Sequence, residues 1–213
     1  MKKFLILVLV IVLALGMIGS AFAYFSDTET SSGNIFTAGT LILKLSDKNE
    51  GFGDGVTATW TMANMQPGVT SVGPLSVNLQ NSGNVAGNHV EISFSHEIDE
   101  STNPVESDSN PNSEPGDIAR WLQIITMTYD TIDFLDGYTD ANHNGFFDLE
   151  DLTMSPYADE AGPLDNLPTP PPNNGGTTSL TMKLKFNAGA TNDIQGDILT
   201  TTVTFTLNQV ASQ

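Results

Sequence analysis

The sequence has 213 residues, no cysteine, and 25 Asp+Glu against 7 Lys+Arg, for a formal net charge of -18. That length suits one modest domain with a real core. The acidity excludes nucleic acid and anionic lipid surfaces as partners, and without disulfides the stability must come from the core, a metal or assembly.

Lys2 and Lys3 precede the run FLILVLVIVLALGMIG, and Ala21-Phe22-Ala23 follows it. A basic, then apolar, then small-x-small order is that of a secretory signal. Residues 1–23 are therefore read as a signal peptide cut by a signal peptidase between Ala23 and Tyr24, and residues 24–213 as one secreted domain, extracellular or at the cell surface. The competing reading is a retained anchor, because Phe4 to Ala23 has the roughly 20 residues that a bilayer crossing needs. A pilin-like cut ahead of the apolar run is disfavoured, since no small residue lies between Lys3 and Phe4. Contact with a membrane is expected only through the uncleaved signal. Loss of Lys2 and Lys3 would leave 5 basic against 25 acidic residues, a charge of -20.

Further along, segments alternate apolar and polar residues with period two, the pattern of strands with one buried face. They are Leu41–Leu45, Thr57–Met62, Leu75–Leu79, Val90–Phe94, Leu122–Tyr129, Leu180–Phe186 and Thr202–Leu207. An Asn81-Ser82-Gly83-Asn84 turn separates two of them, with Gly83 placed for positive φ. This predicts an all-β fold, an antiparallel β-sandwich. Residues 97–176 differ in composition and read as an acidic, loop-rich insertion, since 17 of the 25 acidic residues fall between 97 and 165. The stretch from Ser95 to Asp117 reads as a mobile surface loop, Asp117 as the cap of a short helix over 117–122, and Pro168–Gly176 as a stiff-then-flexible connector.

Within this region lies Asp140-Ala141-Asn142-His143-Asn144-Gly145-Phe146-Phe147-Asp148-Leu149-Glu150-Asp151. Oxygen side chains at loop positions 1, 3, 5, 9 and 12, with glycine at 6, are the spacing that wraps a chain around calcium. The predicted ligands are Asp140, Asn142, Asn144, the carbonyl of Phe146, Asp148 and Asp151, with Phe147 turning its ring into the domain. The alternative is an Asn/Asp/Gly-rich turn without metal. Aspartate at position 12 resembles the loops of dockerin modules, and the extended look of Tyr129–Phe134 argues against a helix-opening sensor. A hard oxygen cluster disfavours zinc.

Catalysis has little support. The three histidines are His89, His96 and His143, and no His-Glu-x-x-His helix or nucleophile elbow occurs. His89 and His96, seven apart, face opposite sides of an unbroken strand. The chain is expected not to be an enzyme.

The segment AFAYFSDTETSSGNIFTAGTLILKL resembles the start of the TasA/camelysin family of secreted fibre-forming proteins, through Ala23, Tyr24-Phe25-Ser26-Asp27, Asn34 and Ala38-Gly39-Thr40-Leu41. The likeness continues in Met65-Gln66-Pro67-Gly68, Leu75–Leu79 and Asn81–Asn84. It implies a jelly-roll-type subunit of an extracellular fibre or pilus in biofilm matrix, similar to archaeal bundling pili. The protease label of camelysins is not carried over, because no protease metal motif matches. The predicted assembly is a homopolymer of identical subunits stabilised by calcium. In it Tyr24 to about Phe36, anchored by Tyr24, Phe25, Ile35 and Phe36, leaves its own subunit and completes a neighbour's sheet at an unpaired edge. An ordinary first strand within the same domain, or a frayed terminus, is the plainer alternative. At the level of function, the alternative is a secreted monomeric calcium-binding adhesin or surface-layer accessory protein.

Overall fold

The computed structural model describes residues 38–99, 118–191, 194 and 196–211. The signal segment, the cut at Ala23–Tyr24, the assembly residues 24–36, the acidic run 100–117 and the Asp117 cap all lie outside the described residues. Apart from Ala38, the described residues belong to the unit Gly39–Gln213.

Among the described residues, seven antiparallel strands form two sheets. They are β1 (Leu43–Ser46), β2 (Ser71–Asn81), β3 (His89–Asp99), β4 (Leu122–Tyr129), β5 (Ile132–Asp133), β6 (Thr177–Phe186) and β7 (Ile198–Asn208). One sheet has the order β1-β2-β6-β4-β5, and the other pairs β3 with β7. Among the described residues the helical elements are two short 3₁₀ turns, Ile118–Trp121 and Asp151–Thr153. The alternation seen in the sequence explains the packing: Leu180, Met182, Leu184 and Phe186 of β6 are buried, every second residue, and join Val90, Ile92 and Phe94 of β3 in one hydrophobic cluster. The fold is thus all-β, with both sheets feeding a common core.

Residues 118–176, inside the stretch expected as an insertion, take a central place. β4 lies between β6 and β5, and Leu149, Leu152, Tyr157, Leu164 and Leu167 belong to the core cluster. The Pro168–Gly176 connector is tied down rather than loose, since the amides of Asn173 and Asn174 donate to the carbonyls of Gly83 and Asn81. Tyr129, fully buried, adds a further tie through its hydroxyl, which donates to the Pro168 carbonyl at 2.9 Å and meets Thr178 Oγ1 at 2.6 Å.

Three local expectations fail for identifiable reasons. Thr57–Met62 is no strand: Ala58 and Asn64 take positive φ, and Thr57 and Thr59 bond to Glu50 and Asp47, so side chains rather than a ladder hold the segment. Ser95–Asp99, expected in a loop, extends β3 and pairs with Ile198–Thr202 of β7. Gly83 is needed for close approach rather than positive φ, because a Cβ there would stand 2.2 Å from the Thr40 carbonyl oxygen.

The β3–β7 pair is unequally covered. The outer edge of β3 is met by the strap 164–167, through Val90 N–H to Leu167 O and Ile92 N–H to Leu164 O, each at 2.9 Å. On its other side β7 has no sheet neighbour among the described residues. Beside it, between the two sheets, lies a cavity of about 1070 Å³ lined by Leu199, Val203 and Phe205 of β7, Val72 of β2, Leu184 of β6 and Trp60 of the 54–67 loop.

Candidate functional site

The loop Asp140–Asp151 closes on itself. Positive φ at His143 (58°) and Gly145 (97°) bends the chain. Asp140 then accepts from the amides of Asn144 at 3.0 Å and Gly145 at 2.7 Å. Asn142 Oδ1 accepts from the Asn144 amide, and Asn144 Oδ1 from the Phe146 amide, both at 3.1 Å. From the far end, Asp151 accepts from the amides of Ala141 (2.7 Å), Asn142 (3.1 Å) and Asp148 (2.9 Å). Asp148 lies between, receiving the side-chain amides of Asn142 at 3.2 Å and Asn144 at 2.6 Å.

The closed loop is anchored on the sheet. Phe147 is 2% exposed, its ring held between Tyr138 (centroids 5.2 Å apart) and Tyr157 (5.1 Å). Its carbonyl accepts from the Ile124 amide at 2.8 Å, so the loop runs along the edge of β4.

Anchoring buries charge. Asp148 and Asp151 are both 0% exposed. Burial, with the Asp151 charge next, pushes the Asp148 carboxyl up to about 7, and burial with the nearby Asp140 charge raises Asp151 as well. Carboxylates crowded in this way favour a cation among them, because the cation reverses both causes of the shift. The donor set is all oxygen, which suits a hard divalent ion. Of the predicted ligand residues, the structure brings the side chains of Asn142, Asn144 and Asp148 into direct contact and links Asp140 and Asp151 to them through backbone amides. Glu150 was not anticipated: Asn142 Nδ2 donates to its Oε2 at 2.5 Å, although it stands at position 11, off the ligand spacing.

The histidines are dispersed. His96 bonds Thr201 Oγ1 at 3.1 Å and the Leu149 carbonyl at 2.7 Å, His143 is exposed on the loop, and His89 is buried on the far face of β3.

The family model described as camelysin metallo-endopeptidase matches residues 1–112, more than half of the sequence. The chain belongs to the camelysin family. The match takes in β1, β2, β3 and the 54–67 loop and stops before β4 and the 140–151 loop. A search of curated proteins finds no match. The camelysin name carries a metal, so its fit to these residues is a fair question. Among the described residues one His/Asp/Glu trio, His89, Glu91 and Asp165, has donor atoms all within 4.8 Å of one another. An imidazole with two carboxylates fits a divalent ion. Sequence reasoning missed this trio, though His89-x-Glu91 on a strand puts both side chains on one face. Asp165, by contrast, carries no local signal.

Proposed function

We propose that this camelysin-family protein is a secreted structural subunit of an extracellular fibre, assembled head to tail by donor-strand exchange and stabilised by calcium, rather than a protease. The observation that carries the reading is the side of β7 that has no sheet neighbour among the described residues, beside the cavity. A two-stranded ribbon is marginal by itself, and an edge with unpaired backbone groups is a template for another strand. β7 has 11 residues, of which Leu199, Val203 and Phe205 line the cavity. The segment Tyr24–Phe36 has the matching length and supplies Tyr24, Phe25, Ile35 and Phe36 as apolar anchors among Ser, Thr, Asp and Glu.

Cleavage after Ala23 would free that segment only once the chain is exported, so fibres would form outside the cell. Addition of one subunit's strand to the next is heterologous and yields a filament unless the rotation closes. A jelly-roll arrangement follows naturally, with the donated strand widening the β3–β7 sheet. Calcium held by Asp140, Asn142, Asn144, the Phe146 carbonyl, Asp148 and Asp151 would rigidify the edge of β4. Scattered histidines support a structural role over a proteolytic one.

Mass spectrometry of secreted protein should find Tyr24 as the first residue. Deleting Tyr24–Phe36 behind an intact leader should give folded monomers by electron microscopy, where the full mature chain gives filaments. Normal filaments from the deletion variant would rule out donor-strand assembly.

A further inference from the structure

We propose that His89, Glu91, Asp165 and Asn208 form a second metal site, selective for a divalent transition ion of the zinc type, that clasps the start of β3, the end of β7 and the 161–167 strap together. It is separate from the oxygen-only loop at 140–151 and does not rest on the fibre reading.

Three chain segments converge on one imidazole nitrogen. His89 and Glu91 are two apart on β3 and share its outer face. Asn208 is the cross-strand partner of His89 on β7. Asp165 is delivered by the strap, whose Leu167 pairs with Val90 in both directions. The Asp165 carboxylate is held in place by the amides of Ala161 and Asn166, each at 2.9 Å. His89 Nε2 consequently lies 2.8 Å from Glu91 Oε1, 3.7 Å from Asp165 Oδ1 and 3.1 Å from Asn208 Nδ2.

The other ring nitrogen decides what Nε2 offers. His89 Nδ1 is 3.2 Å from the amide oxygen of Asn88, while Nε2 lies 2.8 Å from the acceptor-only Glu91 carboxylate, so without metal a proton on Nε2 bridges that pair. A metal ion would take the place of that proton, with Nδ1–H turned to Asn88. An outer oxygen on the non-ligating nitrogen is the usual orienting device of a metal-bound histidine. Turning the Asn208 amide about its last bond would present its oxygen in place of its nitrogen, giving one nitrogen and three oxygen donors around a single point. The imidazole side chain is only 4% exposed, and Asp165's 8%. A ring nitrogen with few oxygens favours zinc-type ions over calcium. The rival occupant is a second proton on the ring, ion-paired with the two carboxylates.

Zinc titration of the full mature chain, kept saturated with calcium so that the 140–151 loop is filled, separates the two. Thermal melting and the histidine ring ¹⁵N shifts are the readouts. Zinc should bind one to one, raise the melting temperature, and move the Nε2 signal of His89 while leaving His96 and His143 in place. Glu91→Gln, which keeps size and hydrogen bonding at a half-exposed position, should weaken zinc at least tenfold. Asn88→Ala should weaken it about ten- to a hundredfold by releasing the ring. A wild-type chain whose melting and His89 signals ignore zinc, or a Glu91→Gln variant that binds zinc like wild type, would overturn the site and leave the protonated ion pair.

Discussion

Phe147→Ala tests whether the 140–151 loop is built on the core or merely attached to it. The ring is 2% exposed and lies between Tyr138 and Tyr157. Truncating a fully buried phenylalanine removes about 3–5 kcal/mol, and the two ring contacts place this case in the middle of the range, at about 4 kcal/mol. For a domain of this size that is roughly 8–16 °C in melting temperature. The backbone bond from Ile124 N–H to Phe147 O survives the substitution, so the loop stays attached but loses its wedge. Urea unfolding should be run twice, with chelator and with calcium at a hundredfold excess over its dissociation constant. In the wild type calcium should add about 2.7 kcal/mol, in Asp140→Ala most of that increment should vanish, and in Phe147→Ala it should shrink, because part of the binding energy would go into re-forming the loop. A loss below about 1 kcal/mol in chelator would refute the wedge. An unchanged calcium increment would refute the coupling between wedge and loop.

Two glycines are required for different reasons. Gly83→Ala, at a negative φ, drives a Cβ to 2.2 Å from the Thr40 carbonyl oxygen and should cost at least as much as typical overpacking, about 1–3 kcal/mol. Gly145→Ala meets nothing within 4 Å and should cost only the strain of φ 97°, about 1–3 kcal/mol, but with a clear loss of calcium affinity that Gly83→Ala lacks. Burial holds the His96 imidazole below its usual value. A depressed histidine adds stability that is present above the unfolded value near 6.5 and is lost as pH falls toward the folded one. In chelated protein the Asp148 carboxyl, raised to about 7, and the raised Asp151 carboxyl gain stability on acidification and oppose this, so the His96 share is read by difference: relative to wild type, His96→Gln should lose less stability, or gain more, as pH falls below about 6.5; an unaltered slope in the variant would assign it to other groups.

Period two located the strands well where a ladder claims the backbone. Leu122–Tyr129 coincides with β4, and Leu180–Phe186 and Thr202–Leu207 fall inside β6 and β7. Thr57–Met62 has the same alternation but lies beside Asp47 and Glu50, whose carboxylates capture Thr57 and Thr59 before any strand can. The turn at Gly145 was legible because the loop is local, twelve residues folding on themselves. The crossing of Thr40 over Gly83 was not, since it depends on a contact 43 residues away. The same applies to Asp165, which reaches His89 through the pairing of Leu167 with Val90. The cavity beside β7 was beyond sequence reading altogether, because β2, β6, β7 and the 54–67 loop each contribute one wall.

Cross-linking tests donor-strand assembly most directly, and a chain without cysteine makes it clean. One variant carries Val203→Cys in the cavity wall of β7, and a second set carries Cys at Tyr24, Phe25, Ile35 or Phe36 in turn. The Val203→Cys protein is mixed with each of these, assembled and oxidised. The account predicts a covalent pair between the two different subunits for at least one donor position, and a ladder of longer species when both cysteines are placed in one chain. A double-cysteine chain that closes only on itself as a monomer, with no pair formed in any mixture, would show that the segment completes its own domain and would contradict the account.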